Sequence, residues 1–309
     1  MIEPTLNYVP CPGLPATSPV DANGHRMAYW EWNHTGNPAH PHVLMCVHGL
    51  SRQGRDFDVF ARRMSRHARV ICPDVVGRGQ SDWLADPKGY QIPTYVGDML
   101  TLIQHVHAQA PITQLDWVGT SMGGIIGLVL SGQKELPLPV PVHSLVLNDV
   151  GPAVQWDALQ RIASYLGRPL RFDTVQAAAD EMRQISQGFG PHSPEDWLVL
   201  STPMVSRASK ERWRLHYDPG IASPLRKMTK EAADGGERYL WKLYEQITAR
   251  VLLLRGADSD LLSSDTAKRM TEVGPRAQLV EFASVGHAPT LVADEQGSAV
   301  ERFLLGKGA

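Results

Sequence analysis

The chain is poor in cysteine, has no long apolar run and carries no excess of charge of either sign. Three cysteines in 309 residues, an odd number, cannot build the disulfide framework of a small secreted domain. Cys46 and Cys72 fall inside apolar, strand-like runs, where free cysteine acts as a small buried hydrophobe, and together with Cys11 they point to a reducing compartment. No segment reaches the about 18 consecutive apolar residues that a membrane span needs, and Met1-Ile2-Glu3-Pro4 has neither a basic nor an apolar leader pattern. The expected location is the cytoplasm, with no membrane partner. Thirty basic against 32 acidic residues give a net charge of −2 without any Lys/Arg block that could track a phosphate backbone. Nucleic acid is therefore excluded as the expected partner, and a small or neutral substrate fits better.

Short apolar or β-branched runs alternate with helical patterns. The runs are His42 to Val47, Arg69 to Cys72, Leu115 to Val118, Ser144 to Leu147, Arg250 to Leu254 and Gln278 to Phe282. Helices are expected over Phe57 to Met64, Tyr95 to Ala108, Met122 to Leu130, Thr266 to Val273 and Gln296 to Leu305. This pattern calls for an α/β fold: a mainly parallel, doubly wound sheet covered on both faces, which is why its strands read as nearly unbroken hydrophobic stretches. Arg26 to Trp32 alternates more and reads as an antiparallel edge strand. The proline-rich first 24 residues read as loop. From Gly151 to about Trp241 the strand pattern stops and the chain turns helical and aromatic. The organisation is thus a core of residues 1–150 and 242–309 with a helical cap, or lid, inserted at 151–241, over the sheet edge where open α/β folds bind ligands.

Ser121 lies where the strand-like Leu115-Asp116-Trp117-Val118 breaks through Gly119-Thr120-Ser121-Met122-Gly123 into a helix pattern. Such a turn is sharp enough to strain the serine, with glycines where the chain crosses itself, and it presents the hydroxyl on the sheet rim. Val47-His48-Gly49-Leu50 ends a strand on the same rim, so the backbone N–H groups of Leu50 and Met122 can converge as an oxyanion hole; His48 itself reads as structural. Ser284-Val285-Gly286-His287-Ala288-Pro289 follows the last strand and offers His287 as the base for the serine. In Arg255-Gly256-Ala257-Asp258-Ser259-Asp260-Leu261-Leu262 either carboxylate could orient that histidine: Asp260, flanked by leucines, or Asp258. His105 with His107, two apart on a helix, and His40 with His42, in a loop without a carboxylate partner, do not make a metal site. Gly77-Arg78-Gly79 lacks the third glycine of a dinucleotide cradle, so no cofactor is implied. Arg78, Trp83, His216 and Tyr217 are weaker candidates for substrate contact.

Taken together, the His48-Gly49 loop, the turn around Ser121, the acid after Leu254, Gly286-His287 and Pro73-Asp74-Val75-Val76-Gly77-Arg78-Gly79-Gln80-Ser81-Asp82 resemble the α/β-hydrolase fold family, in its serine-nucleophile branch with a cap. The resemblance covers nearly the whole chain. It implies hydrolysis of a carboxylic ester through an acyl-enzyme, with Ser121 as nucleophile, His287 as base and then acid, and no cofactor. Serine at the elbow argues against the dehalogenase and epoxide hydrolase branches. The family usually places its acid where Ser259 stands. A bacterial carboxylesterase-like subgroup uses the aspartate after that serine, which favours Asp260 over Asp258; Asp149, after the preceding strand, is a third candidate used by some relatives. Carbon–carbon hydrolysis of a ring-cleavage dienol, lactone opening, and ligand binding without turnover are the alternative functions.

Overall fold

Eight strands form one twisted sheet whose two faces carry the core. The computed structural model describes residues 3–17, 23–209 and 212–306. The strands are β1 (Thr5–Pro12), β2 (Gly24–Trp32), β3 (His42–Val47), β4 (Arg69–Pro73), β5 (Gln114–Thr120), β6 (Val142–Asn148), β10 (Arg250–Gly256) and β11 (Gln278–Phe282). They lie in the order β1-β2-β4-β3-β5-β6-β10-β11; β2 pairs antiparallel with both neighbours, while β4-β3-β5-β6-β10-β11 are parallel throughout. Alternate residues go to opposite faces. Leu44, Cys46, Val118, Val146 and Leu254 pack with the helices α1 (Asp58–Met64) and α10 (Asp294–Leu305). Val43, Met45, Trp117, Leu145 and Leu253 pack on the other side with α2 (Ile92–Gln109), α3 (Met122–Gly132), α8 (Lys230–Gln246) and α9 (Ser264–Glu272).

Two expectations about the amino-terminal region are corrected. Thr5–Pro12 is a strand rather than loop, so Arg26 to Trp32 is antiparallel as expected but interior, covered by β1. Pro10 and Pro12 are compatible with a strand because β1 is the sheet edge, where a missing N–H interrupts no further ladder. Positions 1–2 and 18–22 of the expected loop lie outside the described residues. His42 does have a carboxylate partner, contrary to expectation: the β3–β5 pairing brings its Nε2 to 2.8 Å from Asp116 Oδ2, and His143 contacts the same carboxylate from β6.

Among the described residues of 151–241, none adds a strand to the main sheet. That stretch holds α4 (Trp156–Tyr165), α5 (Val175–Ile185), α6 (Pro194–Ser201) and α7 (Ala222–Arg226), and α8 begins in it and runs five residues past its expected end. It is not purely helical, because β7 (Arg171–Phe172), β8 (Val205–Arg207) and β9 (Trp213–Leu215) form a small antiparallel sheet of their own. Two- and three-residue strands are too short to show an alternating pattern in sequence. Helix α8 packs on the main sheet's flank, with Trp241, Leu243 and Tyr244 in the core cluster beside α3.

Candidate active site

At the end of β5, Ser121 has φ 53° and ψ −117° and stands just before α3. Sequence makes this turn possible. A Cβ on Gly119 would meet the Gly123 carbonyl oxygen at 2.3 Å, and one on Gly123 would meet that of Val47 at 2.0 Å, so only glycine lets the strand, the turn and β3 approach this closely. The Ser121 N–H donates to the Asn148 carbonyl at 3.0 Å, tying the turn to the end of β6.

His287, on the loop after β11, reaches over the rim. Its Nε2 lies 3.0 Å from Ser121 Oγ and its Nδ1 lies 2.7 Å from Asp149 Oδ2. The structure therefore brings Ser121 and His287 together but overturns the choice of acid. Asp260 is half exposed and ion-paired with Arg161, whose Nε and Nη2 lie 2.8 and 2.7 Å from its Oδ2. Asp258 is exposed, and its N–H donates to the Val285 carbonyl, supporting the histidine loop through backbone alone. The carboxylate on His287 is the fully buried Asp149.

Tertiary pairing explains the exchange. Asp149 follows β6 in a left-handed conformation (φ 54°), its N–H donating to the Leu254 carbonyl at 2.9 Å. Its Oδ1 accepts the Gly256 N–H at 2.9 Å, and its Oδ2 accepts the Ser259 hydroxyl at 2.6 Å as well as His287 Nδ1. Ser259, at the position where the family usually has its acid, thus serves as a donor to an acid one strand away. Asn148 was missed in sequence; its Nδ2 donates to Thr120 Oγ1 (2.9 Å) and to the Pro289 carbonyl (2.7 Å), linking three rim loops. A polar Asn-Asp pair ending an otherwise apolar strand was the available signal.

The N–H groups of Leu50 and Met122 have no hydrogen-bond acceptor among the described residues, and both residues line the cavity at Ser121. The loop before Leu50 is held by His48, which is fully buried: its Nε2 accepts the Val75 N–H at 2.9 Å and its Nδ1 donates to the Gly49 carbonyl at 2.7 Å. Burial pushes the His48 pKa down to about 3, so the ring is neutral. Arg78 lines neither cavity, Trp83 is covered by the Arg214 guanidinium 5.0 Å from its ring centroid, and His216 lies off the site; Tyr217 lines it.

Two cavities meet at Leu50, Ser121 and Ile162. One, of about 390 Å³, is mixed in character and the more polar of the two, lined by His287, Arg52, Arg161, Arg168 and Gln187 beside Leu170, Phe189 and Leu215. The second, of about 590 Å³, is apolar, lined by Ile92, Ile125, Val150, Val154, Leu225 and Leu261, and among the described residues its only charged lining groups are Lys88 and Lys227. Residues of the stretch 151–241 line both cavities and are bonded to the rim: the Gly286 N–H donates to the Gly188 carbonyl at 2.7 Å, and Arg52 Nη2 to that of Leu200 at 2.9 Å. Cys11, His25 and Asp98 cluster elsewhere in the core. There His25 spends its Nδ1 on the Leu14 carbonyl (2.9 Å) and its Nε2 on Asp98 (3.0 Å), which satisfies the ring without a metal ion.

Comparison with known proteins places this architecture. The model of the alpha/beta hydrolase family matches residues 44–301. A 3-hydroxybutyrate-oligomer hydrolase of Cupriavidus necator is 46% identical over 307 residues, covering 98% of this chain and 99% of that one. A pimeloyl-[acyl-carrier protein] methyl ester esterase of Aliivibrio fischeri is 23% identical, over 89% of this chain and 96% of its own. Among solved structures, one from Rickettsia typhi superposes with a TM-score of 0.83 at 28% identity, covering 98% of this chain and all of that one. An alpha/beta hydrolase from Novosphingobium aromaticivorans gives 0.80 at 32% identity over 99% of both chains. The chain belongs to the alpha/beta hydrolase family and is a hydrolase.

Proposed function

We propose that this hydrolase cleaves aliphatic carboxylic esters through an acyl-enzyme formed on Ser121. The observation that carries the reading is the hydrogen-bonded series from Ser121 Oγ through His287 to the buried Asp149, with two unpartnered backbone N–H groups beside the serine. Ser121 Oγ bonds to the ester carbon while its proton passes to His287 Nε2, and the carbonyl π pair moves onto oxygen, which Leu50 and Met122 N–H groups receive. Asp149 holds Nδ1 protonated and stabilises the imidazolium. Collapse expels the alkoxide, which takes the proton from Nε2. Water then attacks the acyl carbon with the same histidine as base, and Ser121 leaves with its proton restored.

The cavities support an orientation for the substrate. The alcohol must depart where His287 can protonate it, and His287 lines the mixed, more polar limb and not the apolar one. The acyl chain then occupies the apolar limb, and the inserted segment acts as a lid over both. An oligoester of 3-hydroxybutyrate, the substrate class in the name of the Cupriavidus relative, matches these demands with short branched units on either side of the scissile bond. Cys11, Cys46 and Cys72 are all free and buried, in keeping with a reducing cytoplasmic setting. Incubating the protein with hydroxybutyrate dimers and trimers beside a p-nitrophenyl ester series, with fluorophosphonate labelling of Ser121, tests the reading. Release of 3-hydroxybutyrate with stoichiometric labelling is expected; unlabelled, inactive protein would overturn it.

A further inference from the structure

Among the described residues the buried arginines are Arg69, Arg78 and Arg255. Arg69 pairs with Glu31 at 2.8 Å and Arg255 with Glu281 at 2.6 Å. Arg78 is fully buried and has no carboxylate partner among the described residues. A guanidinium removed from water without a counter-ion is costly, and a fold keeps one where something else is gained. Its surroundings say what that is. Nε donates to the Leu50 carbonyl at 2.9 Å, Nη1 to the Val76 carbonyl at 2.6 Å and to Tyr95 Oη at 3.0 Å, and Nη2 lies 3.7 Å from Met122 Sδ. The rings of Tyr95 and Tyr90 lie 5.0 and 5.6 Å from its central carbon, supplying π-faces in place of an anion. Gly77 and Gly79 on either side have φ of 84° and 53°, which lets the loop turn the arginine inward.

Two of these contacts are to Leu50 and Met122, which line the cavity at Ser121 and whose N–H groups have no acceptor among the described residues. We infer that Arg78 is a positioning residue for the oxyanion hole: its planar fork fixes Leu50 and Met122 from behind, and its uncompensated charge makes their surroundings favourable to the negative oxygen of the tetrahedral intermediate. The inference rests on the acyl-enzyme reading proposed above. Lysine keeps the charge but not the fork; methionine keeps much of the length and neither.

The test compares Arg78→Lys and Arg78→Met with the unaltered enzyme in kcat, in KM, and in affinity for an aliphatic trifluoromethyl ketone. Addition of Ser121 to that ketone's carbonyl creates a stable oxyanion in the same hole. Arg78→Met should lose about 10²–10³ in kcat, as for loss of one oxyanion donor, with an equal loss of ketone affinity and KM changed less than threefold. Arg78→Lys should fall between. Should Arg78→Met not fold, the lysine variant decides alone, through whether kcat and ketone affinity fall together. Unchanged kcat, or a fall in kcat without a matching loss of ketone affinity, would overturn the inference. Failure of the unaltered enzyme to bind the ketone or take the fluorophosphonate would instead overturn the acyl-enzyme reading itself.

Discussion

Asp149 Oδ2 and His287 Nδ1 lie 2.7 Å apart although 138 residues separate them in the chain. Asp149 has no exposed surface, and its two oxygens accept from the Gly256 N–H, the Ser259 hydroxyl and His287. A carboxylate so held keeps the imidazole in one tautomer with Nε2 free to accept the serine proton. Asp149→Asn should therefore lower kcat by about 10⁴ with the fold retained. Asp260→Asn and Asp258→Asn, which alter exposed side chains away from His287, should each change it by less than about tenfold. Assaying the three on one p-nitrophenyl ester decides the ranking; an Asp260→Asn loss equal to that of Asp149→Asn would contradict the geometry.

Ser121→Ala removes the nucleophilic oxygen from a site that does not stabilise the core. Turnover and fluorophosphonate labelling should vanish while the circular dichroism spectrum and thermal midpoint remain those of the parent. His287→Ala should abolish labelling as well, since the hydroxyl is a weak nucleophile without its base. Parent-like turnover in either variant would eliminate the mechanism.

Ser259 donates to the carboxylate at 2.6 Å. Ser259→Ala should reduce kcat roughly tenfold, the scale of one lost hydrogen bond to a charged group, and Ser259→Thr should recover most of it. An unimpaired alanine variant would show that Asp149 needs no such support.

His48 makes stability depend on pH with a definite sign. Burial holds its folded pKa at about 3, well below the unfolded value of about 6.5, so protons favour the unfolded chain in that window. The stabilisation is complete above pH 6.5 and is lost as pH falls toward 3, at about 1.4 kcal/mol per pH unit. Denaturant melts at pH 7.5 and 5.0 should show a loss about 2 kcal/mol larger in the parent than in His48→Gln, which has no ring to protonate. Equal losses in the two proteins would remove His48 from the account.

Gly123→Ala would put a methyl group against the Val47 carbonyl oxygen, at 2.0 Å in the undisturbed backbone. The elbow must then move away from β3, and both activity and thermal midpoint should drop. A variant with parent-like turnover would mean that the turn has more freedom than its packing implies.

What the sequence determined by itself was whatever local pattern encodes. The alternating runs specified a parallel sheet covered on both faces, because strands buried on both sides must be apolar throughout. Gly119, Ser121 and Gly123 specified the sharp turn, because only those residue types fit it, and His287 stood out in a loop that follows the last strand. The acid, by contrast, depended on which strands lie side by side. β10 is placed between β6 and β11, so residues following three strands distant in sequence, Asp149, Ser259 and His287, meet at one rim. Locally, Asp260 beside two leucines looked buried, yet those leucines turn into the core while its carboxylate faces Arg161 and solvent. Arg78 and the first strand share that origin: a cation's partners and a strand's edge position are set by neighbours from elsewhere in the chain. Patterns of three to twelve residues carry no record of such neighbours, because adjacency is created only when the sheet assembles and closes its core.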